Sequence, residues 1–469
     1  MLQAKNVVIG AGPAGMACAY ELAKAGRNPL ILELENQPGG ICRTLDFQGY
    51  LFDIGGHRFL TRSKEINELW SAVMGADMLK VKRLSRIYYH RKFFSYPLKF
   101  FDTFAKLGAM ESVKAVASLL WCKYREIGDI KTFDGWVTRN FGRELYKVFF
   151  KNYTEKVWGM PCSNLSADWA MQRLRGLSVK VLLYNALSVI RKDRPKTLAE
   201  EFLYPRTGPG EFFRRLQAAI QEMGGTFAWG KKIVAIKTDG EKAVSLIVED
   251  CRSGKREELE ADTVFSTAPL PVLVNSLIPK PEEDVLEASK KLKFRSFLVV
   301  NVVLNVDNLF PDQWIYVQEP DVKMARIQNY KNWSPEMVPA TGRTSLGLEY
   351  FCNENDDFWK SSDMDLMDMA MTELEKIGIA SREHLINGFV VRIPHAYPVY
   401  SMHYTEDVKK LRGYLEHFSN VRTFGRGGLF HYDNSDHALL SGLYTARNYL
   451  GNGQHDVWSI NENMSYMES

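Results

Sequence analysis

Three glycines, Gly10, Gly12 and Gly15, stand at the spacing G-x-G-x-x-G within VVIGAGPAG. They follow an apolar run, and Glu33 closes the next apolar run, Pro29-Leu-Ile-Leu. Those residue types at that spacing suit a dinucleotide. The first glycine permits a tight turn, the second lets the backbone approach a pyrophosphate, and the third lets a helix pack closely on the strand. The helix amino terminus then meets phosphate charge, and the Glu33 carboxylate accepts hydrogen bonds from ribose hydroxyls. An ordinary glycine turn would leave a similar trace. The preceding strand, the helical stretch Met16 to Ala25 and the spaced acid favour the cofactor site.

The elements that must hold this fingerprint are spread along the chain. Lys231 to Ile236 and Val244 to Glu249 alternate as strands, a turn at Ser253-Gly254 follows, and Ala261 to Thr267 forms a further strand ending before Ala268-Pro269. Near the carboxy terminus Val421 to Gly425 reads as a strand, Asn434 or Ser435 as a helix cap, and His437 to Leu450 as the helix. The expected architecture is α/β: a Rossmann-like domain, discontinuous in sequence, assembled from residues 1–75, 206–279 and 421–469. Residues 76–205 are helix-rich, aromatic and basic and are read as an inserted domain. Residues 280–420 mix strands (Ser345 to Phe351, Gly388 to Val391) with helices and are read as a mixed α+β substrate domain. Phe297 to Val306 is too short to span a bilayer and, rich in β-branched residues, reads as a buried strand.

Composition narrows the function. The 469 residues suffice for two or three domains, and a net charge of +4 is too small for this size to argue for nucleic acid. Cys18, Cys42, Cys122, Cys162, Cys251 and Cys352 form no CxxC or Cys/His metal spacing, so no metal is expected. They read as reduced thiols of a cytoplasmic protein. No signal peptide precedes the first strand.

Further motifs carry a resemblance. The stretch Gly39-Gly40-Ile-Cys-Arg43, the loop Phe52-Asp-Ile-Gly-Gly56-His57, and Gly425-Arg426 with Asp436 together resemble the FAD-binding set of the superfamily of amine oxidases, protoporphyrinogen oxidase, phytoene desaturases and UDP-galactopyranose mutases. The resemblance implies FAD, with His57 beside the flavin. It also implies that the terminal helix points its positive end at the flavin pyrimidine, where negative charge collects on reduction. Outside the flavin motifs, Tyr153-Thr-Glu-Lys-Val-Trp158-Gly with Trp169 and Arg173, then Tyr204-Pro205-x-x-Gly208-x-Gly210, then Tyr432 six residues beyond Arg426, look most like the mutases. Carried over by motif, Trp158 and Tyr204 belong to the substrate side, Arg173 is a diphosphate clamp on a mobile loop, and Arg426 and Tyr432 contact the diphosphate or the flavin edge. A guanidinium fork and a phenol suit a pyrophosphate. Where the mutases usually have a tyrosine and an aspartate flanking Tyr432 two residues away, this chain has Phe430 and Asn434.

Two functions follow from the resemblance. One is a mutase-like isomerase of a nucleotide-linked sugar, in polysaccharide or cell-surface glycan biosynthesis, with reduced flavin as nucleophile and an external reductant such as NAD(P)H. The other is an oxidase or desaturase taking a hydride from a small organic substrate. Each candidate also has a structural reading. Trp158 and Trp169 fit core packing on one helix face, and Arg173 fits a solvated helix. Lys80 to Lys99, basic, acid-free and interleaved with aromatics, fits either a strand pair with a packed inner face or an anionic substrate funnel. Leu177 to Ile190 reads as a lid helix or a membrane-surface helix, the latter not favoured.

Overall fold

The computed structural model of the chain describes residues 2–96, 100–174 and 200–460. The segment Leu177 to Ile190 lies outside the described residues.

Two large sheets organise the protein. The first has eight strands drawn from three stretches of the chain. Leu2–Ile9 pairs in parallel with both Leu30–Leu32 and Arg256–Ser266. Thr226–Ala228 extends one side, and Val421–Thr423 pairs in parallel with Arg256–Ser266. An antiparallel meander, Lys231–Asp239, Lys242–Asp250 and Arg256–Ser266, with the short Leu277–Ile278 parallel to Lys231–Asp239, completes the other side. The discontinuous nucleotide-binding architecture expected from the sequence is therefore present. Apolar residues cover both faces, as a mainly parallel sheet requires. Ala17, Leu22, Phe212, Leu216, Leu440 and Leu443 pack on one side, and Leu270, Leu273, Val274, Leu411 and Leu415 on the other.

The first helix is Pro13–Lys24, beginning three residues before the expected Met16 because Pro13 sits in its first turn. The last described long helix, Ser435–Leu450, is capped reciprocally by Asn434 and His437, as the sequence suggested for Asn434. These two helices meet almost backbone to backbone: a Cβ on Gly442 would lie 2.1 Å from the Ala14 carbonyl oxygen.

The second sheet runs Leu385–Pro398, Phe294–Leu304, Thr344–Cys352, Arg326–Asn329, Trp314–Val317, Ser85–Tyr89, Lys92–Ser95. Phe294–Leu304 is buried along nearly its whole length, which explains its continuous apolar run. Ser85–Tyr89 and Lys92–Ser95, within the stretch read as an inserted domain, pair into this sheet. Ile87, Tyr89 and Phe94 turn inward at the two-residue period of a strand. Arg86 is held by the buried Asp312 (Nε to Oδ1, 2.8 Å) and Lys80 pairs with Glu201 (2.6 Å), so this segment is a strand pair with a packed face and its cations are partly spent.

Candidate functional site

The cofactor side is built from backbone. Gly10 has φ of 98°, and a Cβ on Gly15 would lie 1.9 Å from the Gly10 carbonyl oxygen, so neither position admits a side chain without moving the turn. Gly12 is the N-cap of Pro13–Lys24 and no side chain caps that helix, which leaves its first amides for a ligand. Gly39 donates its amide to the Ala11 carbonyl at 2.8 Å, seating the Gly39–Gly40 turn against the fingerprint, where a Cβ on Gly12 would meet the Gly40 Cα at 3.9 Å.

Glu33 is buried at the end of its strand. Its Oε2 accepts from the Ala11 amide (2.6 Å) and its Oε1 from the Glu35 amide (2.9 Å), which orients the carboxylate and leaves lone pairs for a ribose. Arg43 donates to the Gly40 carbonyl (2.8 Å) and lies 3.4 Å from Glu35. Gly425 closes on the same turn from the far end of the chain, since its Cβ would lie 2.7 Å from that of Ala14. Asp436 is buried in the first turn of the terminal helix, beside the His437 amide (2.9 Å). This cradle of close glycines, uncapped helix amides and an oriented acid fits a flavin dinucleotide.

His57 leaves this cradle toward the second sheet. Its Nε2 lies 2.8 Å from the Ile54 carbonyl, which can only accept, so Nε2 carries the hydrogen. Nδ1 then faces the Cys42 thiol at 3.6 Å. Burial pushes the imidazole down to about 4, against the help of the Ile54 carbonyl, so it is neutral at physiological pH.

Behind Gly55 and Gly56 lies a charged group that sequence reasoning did not single out. Arg326 forks onto Glu349, with Nε 2.9 Å from Oε1, and Gln328 donates to the same oxygen at 2.8 Å. Glu349 is fully buried, and a Cβ on Gly55 would lie 3.4 Å from its Oε1. The available signal was an acid in the otherwise apolar strand Thr344–Cys352; a buried acid of that kind needs a partner.

Arg426 comes from the cofactor side and meets this group through tyrosines. Its guanidinium carbon lies 4.4 Å from the Tyr397 ring centroid and 4.7 Å from that of Tyr432. Nη1 reaches the Asp433 carbonyl only at 3.4 Å, while Nε and Nη2 are buried with no protein acceptor. Burial, and then Tyr432, raise the Tyr397 phenol to about 12, so it stays a donor. Trp158 is buried against Tyr432 and Tyr397, with ring centroids 6.2 and 6.5 Å away.

Lys156 fixes this wall by donating to the carbonyls of Val317, Glu319 and Met324 at 2.9–3.1 Å. Trp158 and Trp169 pack edge to face at 5.5 Å, but from two helices, Asn152–Trp158 and Ala167–Leu174, rather than from one helix face. A glycine reversal at Gly159 separates them.

Tyr204, expected on the substrate side, lies in the interior. It is fully buried, its hydroxyl donates to Asp53 Oδ2, and its ring packs on Trp333 at 5.1 Å. Thr44 donates to the other Asp53 oxygen (2.7 Å) and Gly210 donates its amide to Thr44 (3.0 Å). The Tyr204 to Gly210 motif therefore clamps the strand that leads to Gly55-Gly56-His57. Burial raises the Asp53 carboxyl to about 7 despite the bonds from Tyr204 and Thr44. Arg173 lies on the helix Ala167–Leu174, and its side chain is outside the described residues. Among the described residues no group of histidines, cysteines and acids could hold a metal ion, and no helix is long and apolar enough to cross a membrane.

Known proteins share these features. A "Probable UDP-galactopyranose mutase" of Klebsiella pneumoniae is 30% identical over 179 residues, 35% of this chain and 44% of its own length. A "Phytoene dehydrogenase" of Streptomyces griseus is 24% identical over 295 residues, 57% of this chain and 54% of its own. The chain thus spans about half the length of the curated relatives it matches. Among solved structures, that of a reduced UDP-galactopyranose mutase superposes with a TM-score of 0.83 at 21% identity, covering 98% of both chains. A putative protoporphyrinogen oxidase from Exiguobacterium sp. 255-15 gives 0.72 at 18% identity, covering 96% of this chain and 99% of its own. The profile of the flavin containing amine oxidoreductases matches residues 13–448. With that match covering most of the chain, including Gly15, Glu33, Gly39, Gly40 and Gly425, the chain belongs to the flavin containing amine oxidoreductase family, and its cofactor is FAD.

Proposed function

We propose that this enzyme acts on a nucleotide-linked sugar as a mutase-like isomerase. The observation that carries the reading is Arg426, a partly buried cation beside the stacked rings of Tyr397 and Tyr432, with two buried guanidinium nitrogens lacking any protein acceptor. Unsatisfied buried donors of that kind call for a ligand that accepts, and a diphosphate supplies oxygens at the spacing of the fork. When bound and reduced, the flavin supplies a nucleophilic nitrogen for the anomeric carbon of the sugar, as the resemblance to UDP-galactopyranose mutases implies.

The protein's own residues would then divide the work. Arg426 and Tyr432 hold the diphosphate, Tyr397 donates to it, and Trp158 closes the apolar wall. His57, neutral and tied to Ile54, is a fixed wall beside the cofactor rather than a proton carrier. Arg173 is proposed to close on the diphosphate from the helix Ala167–Leu174. Asn434, where the mutases usually have an aspartate, caps the terminal helix and removes one negative charge from the neighbourhood of the substrate phosphates. An external reductant of the NAD(P)H type keeps the flavin reduced, and the expected setting is cytoplasmic.

The test is titration of the FAD-loaded protein with UDP, oxidised and reduced, by calorimetry. Micromolar binding, about 8 kcal/mol, supports the reading, and Arg426→Ala should weaken it at least tenfold. Absence of binding in both redox states would sink it. The match to a phytoene dehydrogenase over 57% of the chain favours a second reading, hydride removal from an organic substrate by oxidised flavin. Flavin bleaching by a substrate without added reductant distinguishes that case.

A further inference from the structure

The helix Ala109–Tyr124 carries an apolar face turned to solvent. Met110 is 71% exposed, Val113 69%, Leu120 63%, Trp121 56% and Tyr124 83%. At 3.6 residues per turn these positions, with Ala117 between them, fall on a single arc. The opposite side of the helix is already used. Ala115 and Cys122 are buried, and the Ser118 hydroxyl accepts from the Arg143 amide at 2.9 Å.

Charge marks the edges of the arc. Lys114 and Arg125 lie along one border and Lys123 along the other, and no acid falls on the arc itself. Glu111, outside the border, is paired with Lys114 at 2.8 Å. Arg125 lies 5.0 Å from the Trp121 ring centroid, its charge folded back along the apolar face.

We propose that this face docks on an anionic lipid surface. A helix lying in the interface buries its apolar arc among acyl chains, sets tryptophan and tyrosine at headgroup depth, and lets lysine and arginine on both borders reach the headgroup phosphates. A second copy of the chain is a poorer occupant. Two such faces laid together would bring basic border against basic border with no acid on either arc to compensate. The docking is peripheral and stands apart from the flavin site and from any reading of its substrate.

The experiment is co-sedimentation of the full-length, FAD-loaded protein with vesicles of phosphatidylcholine alone, or of phosphatidylcholine mixed with phosphatidylglycerol. Sedimentation with the anionic vesicles, at least tenfold stronger than with phosphatidylcholine and weakened by salt, is expected. The double substitution Leu120→Glu/Trp121→Glu should abolish it while flavin content stays unchanged. Lys123→Gln/Arg125→Gln, which leaves the apolar arc intact, should weaken it and flatten its salt dependence. Failure of the wild-type protein to bind anionic vesicles overturns the proposal, as does undiminished binding by Leu120→Glu/Trp121→Glu. A concentration-dependent dimer that this variant disperses, without vesicle binding by the wild type, assigns the face to a second copy and also overturns it.

Discussion

The cofactor cradle and the tyrosine-lined wall around Arg426 are built by different means. The cradle works through backbone: glycines where a Cβ would collide, uncapped amides at the start of Pro13–Lys24, and one acid oriented by two amides. The wall works through side chains carried by distant strands and helices, with Arg326 and Glu349 at its base and Arg426, Tyr397, Tyr432 and Trp158 around it. Backbone recognition constrains sequence locally and leaves a compact motif. Side-chain recognition asks only that a few groups converge in space, which many sequences satisfy.

Substitutions in the two regions should therefore fail differently. The largest effect is expected from Gly15→Val, which puts a branched side chain where 1.9 Å is available against the Gly10 carbonyl; the purified protein should be colourless, its flavin-to-protein absorbance ratio near zero. A yellow, stable variant would break the comparison. Next is Glu349→Gln, which strands the Arg326 charge in the interior and should cost about 3–5 kcal/mol in denaturant unfolding, with flavin retained by the molecules that remain folded.

Asp53→Asn is expected to act through pH. The carboxyl is raised in the fold from 3.8 to about 7, so the folded state binds the proton more tightly. The stability it contributes is full below the unfolded value and is lost as pH rises through about 7. The wild-type unfolding midpoint should fall between about pH 4 and pH 7 by more than that of Asp53→Asn, since the amide mimics the protonated acid. The smallest effect belongs to Tyr204→Phe. Loss of its bond to Asp53 should cost about 1–3 kcal/mol in stability and leave UDP affinity unchanged. A large change in affinity would return Tyr204 to the substrate side.

The same contrast explains what could be read before any coordinates. Gly10, Gly12, Gly15 and Glu33 were legible because turn, helix start and ribose acid lie within one βαβ span. The terminal helix and its Asn434 cap were legible for the same local reason. Arg326, Glu349 and Tyr397 were not, because strand pairing brings them together and no fixed spacing records it. The burial of Tyr204 was not legible because a motif marks only that a residue is needed. Here the need is for a buried clamp on Asp53. The strand pair Ser85–Tyr89 and Lys92–Ser95 was legible as one reading of a basic, aromatic stretch, but its pairing beside Trp314–Val317 was not, because those partners lie far apart in sequence.

The contact of Gly442 with the Ala14 carbonyl sets an order of events during synthesis. Pro13–Lys24 leaves the ribosome long before Ser435–Leu450, so the surface that receives the later helix stays bare while the chain between them is made. Val421–Thr423, which completes the parallel sheet beside Arg256–Ser266, arrives equally late. A nascent chain must therefore carry an unfinished sheet and a wet apolar helix through most of its translation, the condition under which aggregation competes with folding. Shielding of the Ala14–Cys18 surface by a chaperone, or slower translation through residues 421–450, would bear on yield more than any change at the tyrosines around Arg426.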